Sequence, residues 1–247
     1  MTPKMGVYNR VVQIEYAQII RSLMYLMNCT RPDIAYAVGR LSRYTQSPNQ
    51  DHWTVVRRVL KYLRGTINYG LCFSGFPSFL ERFSDANWIL DSDEMKPTSG
   101  YVFILVGSAV SWKSDKQTCI TRSIMEAKFI VLEKASSEVE WLRNLLVDIP
   151  LWMRPTLSVS IRCDSQITIA KAKSKIFNGK YMHIRLRHNI VQQLLETGVI
   201  SLEFVRSKLN LADHLTKSLN KKLVEETSRR MGLMPITEVN SGGNPTY

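Results

Sequence analysis

Acidic side chains are in short supply in this chain of 247 residues: 21 Asp and Glu stand against 33 Lys and Arg, a formal charge of +12. That deficit favours a polyanionic partner, nucleic acid first and an anionic membrane surface second. Cysteine is sparse too. Cys29, Cys72, Cys119 and Cys163 lie far apart with no C-x-x-C neighbour. Their spacing excludes a zinc-ligand pattern and a disulfide framework, and it suits a reducing compartment. Long apolar runs are missing. The stretch around "IIRSLMYLM" is broken by Arg21 and too short for a bilayer, and "MTPKMGVYNRVVQIEY" lacks the apolar core of a signal peptide. The expectation is an intracellular, soluble protein of cytoplasm or nucleus, with no membrane partner. Hydrophobic residues make up 45% of the chain, ordinary for a globular protein, so wholesale disorder is excluded.

What is present follows two grammars. Residues 1–80 read as a small helical subdomain with ten Lys and Arg against three Asp and Glu. Tyr16 to Met27 is one apolar helix. "RPDIAYAVGRLSRYTQ" is a second, with Pro32 and Asp33 at its start, and "NQDHWTVVRRVLKYLRG" a third, stopped by Gly65. In the third, Trp53, Val56, Leu60 and Leu63 share a face, while Arg57, Arg58, Lys61 and Arg64 lie off it as a solvated or phosphate-contacting surface. From residue 81 the pattern becomes β-β-β-α-β-α-α-β-α, which predicts a mixed α/β sheet with helices on its faces. Two of the strands form a hairpin at Gly107-Ser108. "NLADHLTKSL" reads as the last helix, and residues 237–247 as a disordered tail.

The stretch "SIMEAKFIVLEKA" carries a local contradiction. Ser123 and Glu126 form an S-x-x-E capping box that starts a helix at Ile124. Lys128 then heads an apolar stripe continued by Leu132, Ala135, Val139, Leu142 and Leu146. A cation at the head of an inward stripe, near a helix N-terminus, is where the macrodipole favours a carboxylate instead. Three aspartates stand where chemistry is easily placed: Asp85 within a strand, Asp164 at a strand end and Asp213 at a helix start. Together they suit a hard divalent ion such as Mg²⁺; singly, Asp164 and Asp213 read more readily as helix caps.

The ordered motifs "FSDANW", "TSGYVF", "SWKSDKQ", "MEAKF", "EWLRNLL", "RCDSQ" and "LADHLTK" resemble the ribonuclease H domain that ends copia-type retrotransposon Pol polyproteins. Residues 1–80, with "SLMYLMNCTRPDIAYAVGRLSRYTQSP" and "HWTVVRRVLKYLRGT", resemble the tail of the adjoining reverse transcriptase. The resemblance implies a ribonuclease H-like domain over 81–236 that hydrolyses RNA in RNA–DNA hybrids with Mg²⁺. Asp85, Asp164 and Asp213 match three of the family's four metal-binding acids. The fourth is the second glutamate of a pattern resembling S-T-E-A-E-Y/F, and here it is Lys128. A lysine about 4 Å from a divalent ion is repelled by roughly 8 kcal/mol at an effective dielectric of about 20, unless it swings outward. The expectation is a persistent fold with a silent nuclease.

From Ser165 to Leu195 no acidic residue occurs, while Lys171, Lys173, Lys175, Lys180, Arg185 and Arg187 do, a stretch suited to a hybrid backbone. His183 and His188 read as ordinary helix or surface residues, and Trp88, Trp112 and Trp141 as core. Such chains also resemble sequences labelled secreted RxLR effectors of plant pathogens, proposed to suppress host defence. The nearest match to that motif is "KYLR", Lys61 to Arg64. A non-catalytic nucleic-acid binder and a secreted effector are therefore the alternatives to a hybrid nuclease.

Overall fold

The computed structural model describes residues 3–73, 80–88, 96–148, 158–175 and 182–239. Lys180 and residues 240–247 lie outside them, as do the side chains of residues 3–11, 182, 183, 238 and 239. Helices α1 (Pro3–Cys29), α2 (Ala35–Leu41) and α3 (Gln50–Gly65) come first, followed by the short strand β1 (Tyr69–Leu71). Strands β2 (Glu81–Asn87), β3 (Thr98–Leu105) and β4 (Ser108–Lys116) form an antiparallel meander leading to the long helix α4 (Ile124–Val147). Then come β5 (Val159–Cys163), α5 (Gln166–Lys173), α6 (Met182–Glu196), β6 (Ile200–Phe204), α7 (Lys221–Arg230), β7 (Leu233–Pro235) and α8 (Ile236–Val239). The five-stranded sheet has the order β4-β3-β2-β5-β6, with β5 and β6 parallel to β2. Three antiparallel strands extended by two helix-linked parallel ones make this a ribonuclease H-like fold.

Strand alternation divides the core into two layers. On β3, Phe103 points into a cluster with Phe129 and Leu132 of α4 and Val191 of α6. Its neighbours Val102 and Ile104 point the other way, into a cluster with Tyr16, Ile20, Val38 and Val56 from the N-terminal helices. Side chains at successive strand positions face opposite sides, so one strand serves both layers. The N-terminal helices therefore close one face of the sheet. Trp112 Nε1 on β4 donates to Met27 O at 2.6 Å. The buried pair Arg31–Asp33, at 2.7 Å, also ties Arg31 Nη2 to Thr66 Oγ1 at 2.8 Å. A second, two-stranded sheet joins β1 to β7 in antiparallel register.

Local chemistry sets most boundaries. Asn49 Oδ1 accepts from His52 N at 2.9 Å while His52 Nδ1 accepts from Asn49 N, a reciprocal cap that starts α3. The hairpin turns at Val106-Gly107, both with positive φ, one residue earlier than read from the sequence. "NLADHLTKSL" is not an α-helix. Leu211–Leu215 is a 3₁₀ turn with Leu211, Ala212, His214 and Leu215 buried, and a new helix, α7, begins where Asn220 caps Leu223 N at 3.0 Å. Residues buried on nearly every side need the tighter turn to reach their pockets. Residues 237–239, expected in the tail, belong to α8. Trp141 is 57% exposed, against the core placement expected for it, whereas Trp88 and Trp112 are partly buried against the core.

Arg82 on β2 is fully buried between the sheet and α4. Its Nη2 donates to Val159 O at 3.0 Å and its guanidinium lies 4.9 Å from the Phe103 ring centre, but Nε has no partner. Among the described residues no carboxylate pairs with it, and burial pushes its pKa well down. A desolvated cation without a counter-charge costs more than a packed thioether. Arg82→Met is expected to raise stability by about 1–2 kcal/mol, read as a rise of a few degrees in Tm. A drop in Tm would mean that the bond to Val159 outweighs the desolvation.

Candidate active site

Asp85 sits on β2, Asp164 directly after β5, and Asp213 in the 3₁₀ turn after β6. The fold brings one carboxylate oxygen of each to within 4.8 Å of the others, an arrangement consistent with a divalent-metal cluster. Gly100 on β3, the register partner of Asp85, makes the approach possible. A Cβ there would lie 2.7 Å from Leu215 Cβ, 2.8 Å from Thr216 Cγ2 and 3.1 Å from Ala212 O. The turn carrying Asp213 thus rests directly on the backbone of the sheet. Gly100→Ala is expected to lift that turn and cost about 1–3 kcal/mol in urea unfolding. An unchanged midpoint would show that the turn yields freely.

Lys128 enters this cluster from α4. The stripe predicted from the sequence is buried throughout, Lys128 included at 8% exposure. It does not swing outward. Its Nζ lies 3.2 Å from Asp85 Oδ1 and donates a short hydrogen bond to Asp164 Oδ1. Asp85 Oδ2 accepts from Thr216 Oγ1 at 2.6 Å, and Asp164 Oδ2 from Ser207 Oγ at 2.8 Å. All four oxygens of these two aspartates are therefore engaged, and the ammonium lies between two of them. Burial pushes the pKa of Lys128 down, but the two carboxylates more than offset it, so the net shift is upward and the cation is secure.

Asp213 pairs with Lys217, one helical turn on, at 2.6 Å. Burial pushes its pKa up to about 6, and the charge of Asp85 adds to the rise while Lys217 opposes it. Three carboxylates thus face two ammonium groups, for a net charge of −1 when all are ionised. The inner oxygens that a pair of divalent ions would share are the ones Lys128 engages here.

The helix start departs from its expected form in one respect. Ser123 Oγ accepts from Glu126 N at 3.2 Å, but Glu126 Oε2 accepts from Arg122 N at 2.8 Å instead of from the cap residue. Glu126 is thereby engaged at the start of the helix. Sequence reading missed Ser207, Thr216 and Lys217. Only Lys217 left a signal, its i,i+4 spacing from Asp213.

Of the predicted backbone-contacting residues, Lys173, Lys175 and Arg185 are exposed and Lys171 is half-buried. Arg187 is ion-paired with Glu133 of α4, so its charge is partly spent within the fold. His188, expected as ordinary, is buried, with Nε2 3.2 Å from Lys171 O and its ring stacked near Phe129. On α3, Arg57, Arg58, Lys61 and Arg64 are all exposed.

No protein-family profile matches the chain. It is 33% identical over 223 residues to the retrovirus-related Pol polyprotein from transposon TNT 1-94 of Nicotiana tabacum, covering 90% of this chain and 17% of that protein. It is 34% identical to the corresponding polyprotein from transposon RE2 of Arabidopsis thaliana, covering 90% and 15%. The chain therefore spans under a fifth of these relatives. A match of 42% over 130 residues to secreted RxLR effector protein 161 of Plasmopara viticola covers 52% of this chain and 92% of that protein. Among solved structures, an N-terminal RNase H domain from Mycobacterium tuberculosis matches 62% of this chain and 98% of its own, with 12% identity and a TM-score of 0.42. A foamy viral protease–reverse transcriptase in complex with RNA/DNA hybrid matches 82% and 26%, with 12% identity and a TM-score of 0.47.

Proposed function

Since the chain belongs to the copia-type retrovirus-related Pol polyproteins of transposons, we propose that its ribonuclease H-like domain holds nucleic acid, RNA–DNA hybrid first, without cutting it. One observation carries this reading: Lys128 Nζ stands between Asp85 and Asp164, where the domain's chemistry calls for a divalent cation. The lysine replaces both the missing carboxylate and the charge of a metal. It neutralises the aspartates and keeps the turn-bearing segments docked, but it offers no open coordination position. Without one, no water can be activated and no leaving oxygen stabilised. The formal charge of +12 and the exposed cations on α3, α5 and α6 support phosphate contacts that survive the loss of chemistry.

The test is fluorescence anisotropy with a labelled RNA–DNA hybrid. Affinity should fall steeply as salt rises, because phosphate contacts release counterions, and it should be the same in Mg²⁺ and in EDTA. Gel analysis of the same samples should show intact RNA. Weak, salt-insensitive binding would end the proposal of a nucleic-acid surface.

The effector alternative finds less support. "KYLR" lies in the last turns of α3, where Tyr62 and Leu63 pack against the core. A motif built into a packed helix is explained by folding alone.

A further inference from the structure

We propose that a groove beside the acidic cluster binds an unpaired nucleotide continuing the strand held there; the proposal rests on the nucleic-acid reading above. The groove has a volume of about 440 Å³ and runs between α2 and α3 on one side and residues 214–224 on the other. That volume suits one small organic ligand or a nucleotide, within the usual range of roughly 300–1,000 Å³.

Its chemistry selects among such ligands. Tyr44 and His52 line it as a stacked pair, ring centres 3.8 Å apart and 24° from parallel. A base adds to such a stack without regard to its identity, since every base presents a π-face. Arg40 stands on the same walls, as does Lys217, whose charge is shared with Asp213. Among the described lining residues the one carboxylate, Asp33, is already neutralised by Arg31 at 2.7 Å. An anionic ligand with an aromatic face therefore meets complementary charge and a stacking surface together. Position narrows the choice further. Lys217 lines the groove and also pairs with Asp213 of the cluster at 2.6 Å, so groove and cluster share one side chain. A strand whose backbone passes the cluster has its neighbouring nucleotide within reach of the groove.

The experiment compares hybrids with blunt ends and hybrids bearing a short unpaired tail on one strand, of either polarity, by anisotropy with the full chain. A tail of one polarity should tighten binding roughly tenfold, the size of one stacked base. Val55→Trp fills the groove from a position 36% exposed on α3, so the fold should tolerate it. It should abolish the gain from the tail and leave blunt-end affinity unchanged. Arg40→Gln, a second and smaller change, should reduce the gain. Equal affinities for tailed and blunt hybrids, or a gain that survives Val55→Trp, would overturn the groove assignment and leave the wider reading intact. If blunt hybrid does not bind, that wider reading falls. A single-stranded oligonucleotide then decides the groove: binding lost in Val55→Trp upholds it, and no binding sinks it.

Discussion

Lys128→Glu is expected to turn a metal-indifferent protein into a metal-dependent one. With glutamate at 128, four carboxylates face the single ammonium of Lys217, and the net charge of the cluster moves from −1 to −3. In EDTA that variant should be less stable than the parent, because Asp85 and Asp164 lose their counter-charge and gain a like-charged neighbour. Leaving a buried carboxylate uncompensated costs about 3–5 kcal/mol. Mg²⁺ should restore the loss by binding the folded state alone, whereas the parent's Tm should ignore Mg²⁺. Calorimetric titration should show Mg²⁺ affinity at least about tenfold higher in the variant, a modest demand given the roughly 8 kcal/mol scale of the repulsion removed. Cleavage of hybrid by the variant is then possible, and Asp85→Asn should remove it. Lys128→Met serves as the control: it loses the cation without gaining a ligand, so it should be destabilised with only partial rescue by Mg²⁺. Efficient Mg²⁺-dependent cleavage by the unmodified protein, abolished by Asp85→Asn, would show that three aspartates suffice and that Lys128 yields to metal.

Deleting residues 1–73 is expected to unfold the rest of the chain or leave it molten. The deletion uncovers Phe83, Val102, Ile104, Leu211, Leu215 and Met231, which the N-terminal helices now bury. At about 1.5–3 kcal/mol for each side chain, the exposed surface is worth on the order of 10 kcal/mol, comparable with the whole stability of a typical domain. The deletion also strips Trp112 and His214 of their acceptors, Met27 O and Asp33 O, and β7 of its partner strand. The remaining piece should bind a hydrophobic dye and melt without a cooperative transition. A sharp transition near the parent Tm would show that the two parts fold independently after all.

The long helix and the hairpin were legible because their signals are local. Ser123 and Glu126 mark the start of α4, and the apolar spacing from Lys128 to Leu146 marks its buried face. The convergence of Asp85, Asp164 and Asp213 was legible only through the order of strands and motifs, since the residues are far apart in the chain. That Lys128 stays on this inward face, paired with Asp85 and Asp164, was not legible. A buried lysine is costly in isolation, and only the simultaneous presence of two aspartates without a competing ligand makes the inward conformation the stable one. The same holds for the turn at 211–215. Its residues suit a helix by pattern, but the bare backbone at Gly100 offers a seat that a wider α-turn cannot use. The β1–β7 pairing escaped notice because three-residue strands carry almost no periodicity. Trp141 escaped as well, since an aromatic residue in a mostly buried helix is placed by its neighbours and not by its own hydrophobicity.

That small β1–β7 sheet has a consequence for how the chain comes to be folded. Tyr69–Leu71 finds its partner only at Leu233–Pro235, and Ala109 N donates to Met231 O on the way. During synthesis the helical half leaves the ribosome long before the strand that clasps it. Its apolar faces are covered in stages, first by β2–β4 and then by residues 211–235. Contacts so distant in sequence pay their loop-closure entropy before they return any energy, which slows the final step and lengthens the exposure. Nascent chains of this protein are therefore expected to depend on chaperones that shield the first helices, and to refold in the test tube with a slow phase that reports the closing of that clasp.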